Sequence, residues 1–165
     1  MITGFKILTI AFMFYLPQEQ VTTDKTVVIN ELMPTNSTIP DQSKEYDDWI
    51  ELYNMSPGTV DLSGYSLTDD RKNLTRWTIP DGTKIGPGEF LIIWADQDTI
   101  QPGLHANFKL SADGEEVLLV KPDRTIADEV KFRPQKKELT FARNPDGTGK
   151  FAWQNPTPGK SNNIQ

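Results

Sequence analysis

The stretch Asp47-Asp48-Trp49-Ile50-Glu51-Leu52-Tyr53-Asn54 alternates with a period of two. That places Trp49, Glu51 and Tyr53 on one side of a strand and Ile50, Leu52 and Asn54 on the other. A carboxylate on the same side as two large aromatic rings is costly to bury unless it is paired or hydrogen-bonded. Glu51 therefore reads as a hydrogen-bonded structural residue and Trp49 as a core anchor.

The residues on either side repeat the β pattern. Val27 to Leu32 is rich in β-branched residues and reads as the first strand, stopped by Met33-Pro34. Thr35 to Glu45 is polar and too long for a tight hairpin, so it is expected to be a surface excursion, the kind of segment that often carries function. Pro57-Gly58 turns the chain, and Val60 to Thr68 alternates again with a bend at Gly64. Trp77-Thr78-Ile79 and Lys84-Ile85 follow between Gly, Pro and Asp turns. Phe90 to Ala95 is apolar on both faces and is expected to lie deepest in the core. His105 to Leu110 points Ala106, Phe108 and Leu110 inward, and Glu116 to Val120 is the next strand. Ile126, Asp128, Val130 and Phe132 share a face, where Asp128 must be paired or at an edge. Leu139 to Arg143 and Phe151 to Trp153 make a last pair. Asn155-Pro156-Thr157-Pro158-Gly159 cannot extend a central strand, because its prolines remove ladder donors. No helical period occurs beyond the N-terminal segment. About eight to ten short strands separated by turn residues predict an all-β fold, a sandwich of two antiparallel sheets.

Composition narrows the function classes. The 165 residues, 36% hydrophobic and 24% charged, suit one domain with a sizeable core. A formal net charge of −6 repels phosphate backbones and anionic lipid surfaces. The densest basic run, Lys131, Arg133, Lys136 and Lys137 with Arg143 nearby, lacks interleaved aromatics and reads as a solvated loop, so nucleic acid is disfavoured as a partner. The absence of cysteine removes disulfides, zinc–thiolate sites and a cysteine nucleophile. At the N-terminus a single lysine, Lys6, precedes an apolar run from Ile7 to Leu16 and then polar Pro17-Gln18-Glu19-Gln20, which is signal-peptide anatomy. That run is short of the roughly 20 apolar residues a membrane helix needs. Residues 1–20 are thus expected to be a leader, 21–26 a linker, 27–162 the domain and 163–165 a tail. No transmembrane span is expected in the mature chain. The protein is expected to be exported to the periplasm, the cell surface or the medium, with an uncleaved anchor or a core-packing N-terminal segment as the alternative.

Taken together, the motifs resemble the lamin tail domain, an immunoglobulin-like β-sandwich found in nuclear lamins and in exported bacterial proteins. The resemblance rests on Ile29-Asn30-Glu31-Leu32, on Asp48 to Asn54 and on Val60 to Asp70. It continues through Trp77 to Thr83, Gly88 to Asp96 and Leu104 to Ser111, and closes with Asn144 to Gly149 and Asn155 to Gly159. It implies structural roles for Asn30, Glu31, Asp48, Trp49, Glu51, Asn54, Gly64, Trp77, Gly88 and Trp94, and no catalysis. Two departures stand out. Phe141-Ala142-Arg143 replaces a Tyr-Gly-Arg pattern common in bacterial members. The heptad repeat of a filament-forming rod is absent, so lamin-type filaments are not implied.

Other candidate sites are weaker. His105 has no Gly-x-Ser-x-Gly nucleophile motif around it, and no catalytic residue is assigned. Asp96 and Asp98 offer oxygen ligands of the type calcium takes, without the full spacing of a calcium loop; no cofactor is expected apart from calcium at this pair. Trp49, Trp77, Trp94 and Trp153 could stack on a sugar, yet each sits among apolar strand residues and reads first as core. The expected function is a non-enzymatic, exported binding or structural module that presents loops or a sheet edge to a protein partner. The alternative is a carbohydrate-binding adhesin module for polysaccharide, using exposed aromatic residues. Intact-mass measurement of the native protein tests the leader: cleavage near Gln20 is expected, and a chain retaining Met1 would remove it.

Overall fold

All seven positions of the first strand, β1 (Val27–Met33), are buried, which requires cover on both of its faces. The computed structural model of this protein describes residues 25–163, so the expected leader and most of the linker lie outside the described residues. After β1 come β2 (Trp49–Asn54), β3 (Val60–Asp61), β4 (Ser66–Thr68), β5 (Trp77–Thr78) and β6 (Lys84–Ile85). They are followed by β7 (Phe90–Ala95), β8 (His105–Ala106), β9 (Glu116–Val120), β10 (Ile126–Lys131), β11 (Thr140–Asn144) and β12 (Lys150–Gln154). No helix occurs among the described residues.

The architecture is the expected all-β, immunoglobulin-like sandwich. A six-stranded sheet runs β12-β11-β1-β2-β7-β8 and a four-stranded sheet runs β10-β9-β4-β5, with a short β3-β6 ribbon beside them. The pairings are antiparallel except β7 with β8, which is parallel and covers only Trp94↔His105 and Ala95↔Ala106. Between the sheets, Ile29, Leu32, Ile50, Leu52 and Ile93 pack against Leu67, Trp77, Val117, Leu119 and Val130. Burial on this scale, at about 25 cal/mol per Å² of apolar surface, is the main favourable contribution to folding.

The phase read for β2 holds: Ile50 and Leu52 join that core. Trp49 and Glu51 lie on the opposite face and are nonetheless fully buried. Cross-strand register puts Met33, Trp49 and Trp94 in one row of this outer face and Glu31, Glu51 and Ile92 in the next. Tyr53 and Phe90 follow, their rings stacked at 4.8 Å. A second, smaller layer therefore sits outside the sandwich.

Two expectations need correction. Phe90 to Ala95 is not the deepest strand: Ile93 and Ala95 are buried, but Phe90, Ile92 and Trp94 are half-buried. β7 is the penultimate strand of its sheet, and its outer neighbour β8 reaches only its C-terminal end. Ile126 does not share the inward face of Val130 and Phe132, because the register shifts between Ile126 and Asp128 and turns Ile126 out to solvent.

A bulge in β1 sets the join between the sheets. The pairing steps from Ile29↔Leu52 to Glu31↔Glu51, leaving Asn30 as the extra residue. On the other side of β1, pairing with β11 covers only Glu31 and Leu32. Side chains take up the Ile29 backbone instead: its N–H donates to Asp128 Oδ2 at 3.0 Å, and its C=O accepts from Arg143 Nε at 2.9 Å. Arg143 Nη2 also donates to both Asp128 oxygens, at 2.9 and 3.1 Å, and Lys25 Nζ donates to Oδ1 at 2.6 Å. Asp128 thus enters the apolar face paired, as its position required. Removing it strands a buried guanidinium and a buried N–H. Asp128→Ala should cost about 3 to 5 kcal/mol, read as a lower urea midpoint at unchanged slope. A loss under about 1 kcal/mol would show that the clamp is dispensable.

Candidate functional site

The outer face of the six-stranded sheet gathers several of the residues singled out in the sequence. Glu31 and Glu51 face each other across β1 and β2, both without solvent exposure. The C-terminal segment crosses over them. Thr157 N–H donates to Glu31 Oε1 at 2.9 Å, and Gly159 N–H donates to Glu51 Oε2 at 2.6 Å. Its prolines suit this course, since a strap needs no regular ladder. Asn30, displaced by the bulge, donates from Nδ2 to Asp146 Oδ1 at 3.0 Å and accepts from Gly147 N–H at 2.9 Å. Asn162 N–H donates to Asp146 Oδ1 at 3.0 Å, which fixes the end of the strap to the same turn.

Two carboxylates placed this way cannot both carry full charge. Burial pushes the Glu51 carboxyl from 4.5 up to about 8; the Gly159 N–H opposes this and the Glu31 charge adds to it. Burial also raises Glu31, against the hydrogen bonds from Thr157. Thr157 Oγ1 donates to Glu31 Oε2 at 2.8 Å and also contacts Asn162 Oδ1, which accepts from Gln154 Nε2 at 3.1 Å. Glu51 Oε1 has no hydrogen-bond partner.

The other family-motif residues hold backbone. Asp48 accepts from Thr35 N–H at 2.5 Å and from Leu110 N–H at 3.1 Å, joining two loops. Burial nevertheless raises its pKa, the two N–H groups opposing the shift. Asn54 donates to the carbonyls of Gly58, Ile85 and Gly86 at 2.8 to 3.0 Å and accepts from Ser56 N–H at 2.8 Å. Gly88 has φ of 70°, where only glycine is unstrained, and its N–H reaches Asn54 O at 3.0 Å. Gly64, at φ of 76°, turns the chain between β3 and β4. Trp49 and Trp77 are buried, whereas Trp94 and Trp153 are half-buried, and Trp153 packs on Phe141 at 5.1 Å. Asn30, Glu31 and Glu51 thus form one network and Trp49 and Trp94 are cross-strand neighbours, whereas Asn54, Gly64, Gly88 and Trp77 lie elsewhere.

Asp96 and Asp98 serve their own loop. Asp96 Oδ2 lies 2.6 Å from His105 Nδ1, and Oδ1 accepts from Asp98 N–H at 2.9 Å. Asp98 accepts from Ile100 N–H at 3.1 Å and from Gln101 Nε2 at 3.2 Å. Among the described residues no group of three or more His, Asp or Glu side chains is placed to hold a metal ion. His105 is buried between Asp96 and the Pro102 carbonyl, where it pins the loop. Arg143 does not belong with the basic run: it turns inward to Asp128 and lies 4.4 Å over the Phe151 ring, while Lys131, Arg133, Lys136 and Lys137 are exposed.

The sequence reading expected loops or a sheet edge to meet a partner without assigning the strand; part of β7 is such an edge. Ala95 N–H donates to Asp48 O in line with β2, and Trp94 N–H donates to Leu104 O on the opposite side. By the two-residue period, Phe90 and Ile92 point their N–H and C=O groups away from β2, along an edge that β8 does not reach.

A sequence model of the lamin tail domain matches residues 20–134, well over half of the chain. No curated protein matches it. The matched segment takes in β1 to β10; β11, β12 and the strap lie beyond it, although β11 pairs with β1 in the same sheet.

The raised Glu51 pKa has a definite sign. Its neutral form stabilises the fold below about 4.5, and that contribution is lost as pH rises toward about 8. Wild-type stability should fall across this window, whereas Glu51→Gln, which keeps an acceptor for Gly159 N–H, should flatten the profile. Thermal melts across the window check this, and parallel profiles for the two proteins would show that Glu51 does not titrate there.

Proposed function

The chain belongs to the lamin tail domain family, and from that premise we propose that it is a non-enzymatic interaction module, exported to the cell envelope or beyond it, that binds another protein. The observation that carries the reading is the stretch of β7 at Phe90 and Ile92, a row of backbone groups with no neighbouring strand among the described residues. Strand addition at such an edge supplies affinity through main-chain hydrogen bonds and specificity through alternate side chains. The exposed large apolar residues also favour this end. Tyr46 is 55% exposed and Ile100 93%, each on a loop next to β7, with Ile126 the only other among the described residues.

The buried ionisable groups support the non-enzymatic part. Glu31, Glu51, Asp48 and Asp128 are each engaged with backbone N–H groups, and the His105–Asp96 pair braces a loop. Each acts as a brace and not as an acid or base facing a substrate cleft. Export rests on the basic-then-apolar pattern of residues 1–20. Carbohydrate binding through aromatic rings would draw on the exposed Tyr46 and the half-buried Trp94 and Trp153.

Affinity capture from envelope and extracellular fractions, with the full chain as bait, tests the proposal. A retained protein that excess free chain displaces is the expected result. Retention of glycans without any protein would favour the adhesin reading instead.

A further inference from the structure

We propose that the free edge of β7 at Phe90 and Ile92 receives an extended strand of a partner protein, and that Asp41 takes a lysine or arginine of that strand. This rests on the interaction-module reading and narrows it to one surface.

Beside the edge lies a groove of about 440 Å³, floored by Leu91, Ile92, Trp94 and Leu104 and walled by Pro40 and Asp41. Its outer wall is the polar loop between β1 and β2, and its far end is the loop between β7 and β8. The two loops are tied together by Gln101 Nε2 donating to Glu45 Oε2 at 2.7 Å. A strand laid along β7 would meet the free N–H and C=O groups of Phe90 and Ile92, and its alternate side chains would fall beside those two residues.

Asp41 gives the occupant its charge. The residue is 8% exposed; its Oδ1 accepts from Glu45 N–H at 2.7 Å, and its Oδ2 has no hydrogen-bond partner among the described residues. A carboxylate oxygen without a partner beside apolar walls calls for a cationic donor. The surroundings have the same sign. The two loops carry Asp41, Glu45, Asp47, Asp48, Asp96 and Asp98 against the single Lys44. A second copy of this chain would bring those carboxylates against themselves across a two-fold axis, so the charge pattern favours a different, basic partner.

Selection of the full chain against a displayed library of random linear peptides tests the assignment. Enriched peptides should alternate apolar residues around a Lys or Arg. On titration they should shift the amides of Phe90 and Ile92 and slow their exchange. Replacing the peptide's basic residue with Glu should weaken binding on the order of tenfold, and Asp41→Asn, whose side-chain oxygen can still accept from Glu45 N–H, should remove most of that preference. The peptide exchange carries the test on the wild-type chain should the variant fold poorly. Peptides that bind elsewhere, show no basic preference or are not enriched at all would overturn the proposal. So would a concentration-dependent dimer that protects the same two amides. If capture from envelope fractions retains a protein while Phe90 and Ile92 stay unperturbed, the module reading stands and this edge assignment falls.

Discussion

The backbone of Ile29 sits where β1 parts from β11, and the Asp128–Arg143 pair supplies hydrogen bonds to both its N–H and its C=O. A backbone group buried without a partner costs about as much as a lost hydrogen bond. The bulge at Asn30 can therefore exist only because β10 and β11 deliver these two side chains. Their mutual ion pair, with Lys25 on its rim, gives the buried charge its compensation. The same bulge brings Glu31 opposite Glu51 and points Asn30 at the Asp146 turn. Sandwich closure and outer-face chemistry thus share one local irregularity.

The outer face follows from that arrangement. A sheet in a sandwich commonly buries one face and leaves the other to water. Here Val28, Met33 and Trp49 are buried on the far side of the sheet from the core, and the C-terminal strap crosses the same face at Glu31 and Glu51. Covering two carboxylates forces them toward the neutral state. Cover thins toward β7, where a groove remains open and the outward backbone groups have no strand beside them. The best-covered strand of the sheet and this open edge are thus separated only by β2.

Much of this was legible in the chain. Alternation in Asp47 to Asn54 assigned the two faces of β2, and the neighbouring aromatics required a partner for Glu51, which Gly159 provides. Asp128 had to be paired or at an edge because it interrupts an apolar face, and it is paired. The prolines after Asn155 excluded a ladder strand, and that segment became the strap. The misreadings share a cause. Phe90 to Ala95 looked doubly covered because apolar composition does not reveal how long the neighbouring strand is. Ile126 kept its expected side only until a bulge shifted the register. Arg143 read as part of a basic run because nothing local tells an inward guanidinium from a solvated one.

Period-two alternation and turn chemistry are properties of neighbouring residues, so the sequence by itself determined the all-β class, the positions of most strands, the inward phase of β2 and the family. Partners across the fold are not encoded locally. Ile29 and Asp128 are 99 residues apart, and Glu31 and Thr157 are 126 apart. Only the tertiary structure decided which carboxylates are clamped, which are pushed toward the neutral state under the strap and where β7 is left uncovered. Each of those outcomes depends on what a distant segment covers, and burial, unlike periodicity, exists only once the chain has folded.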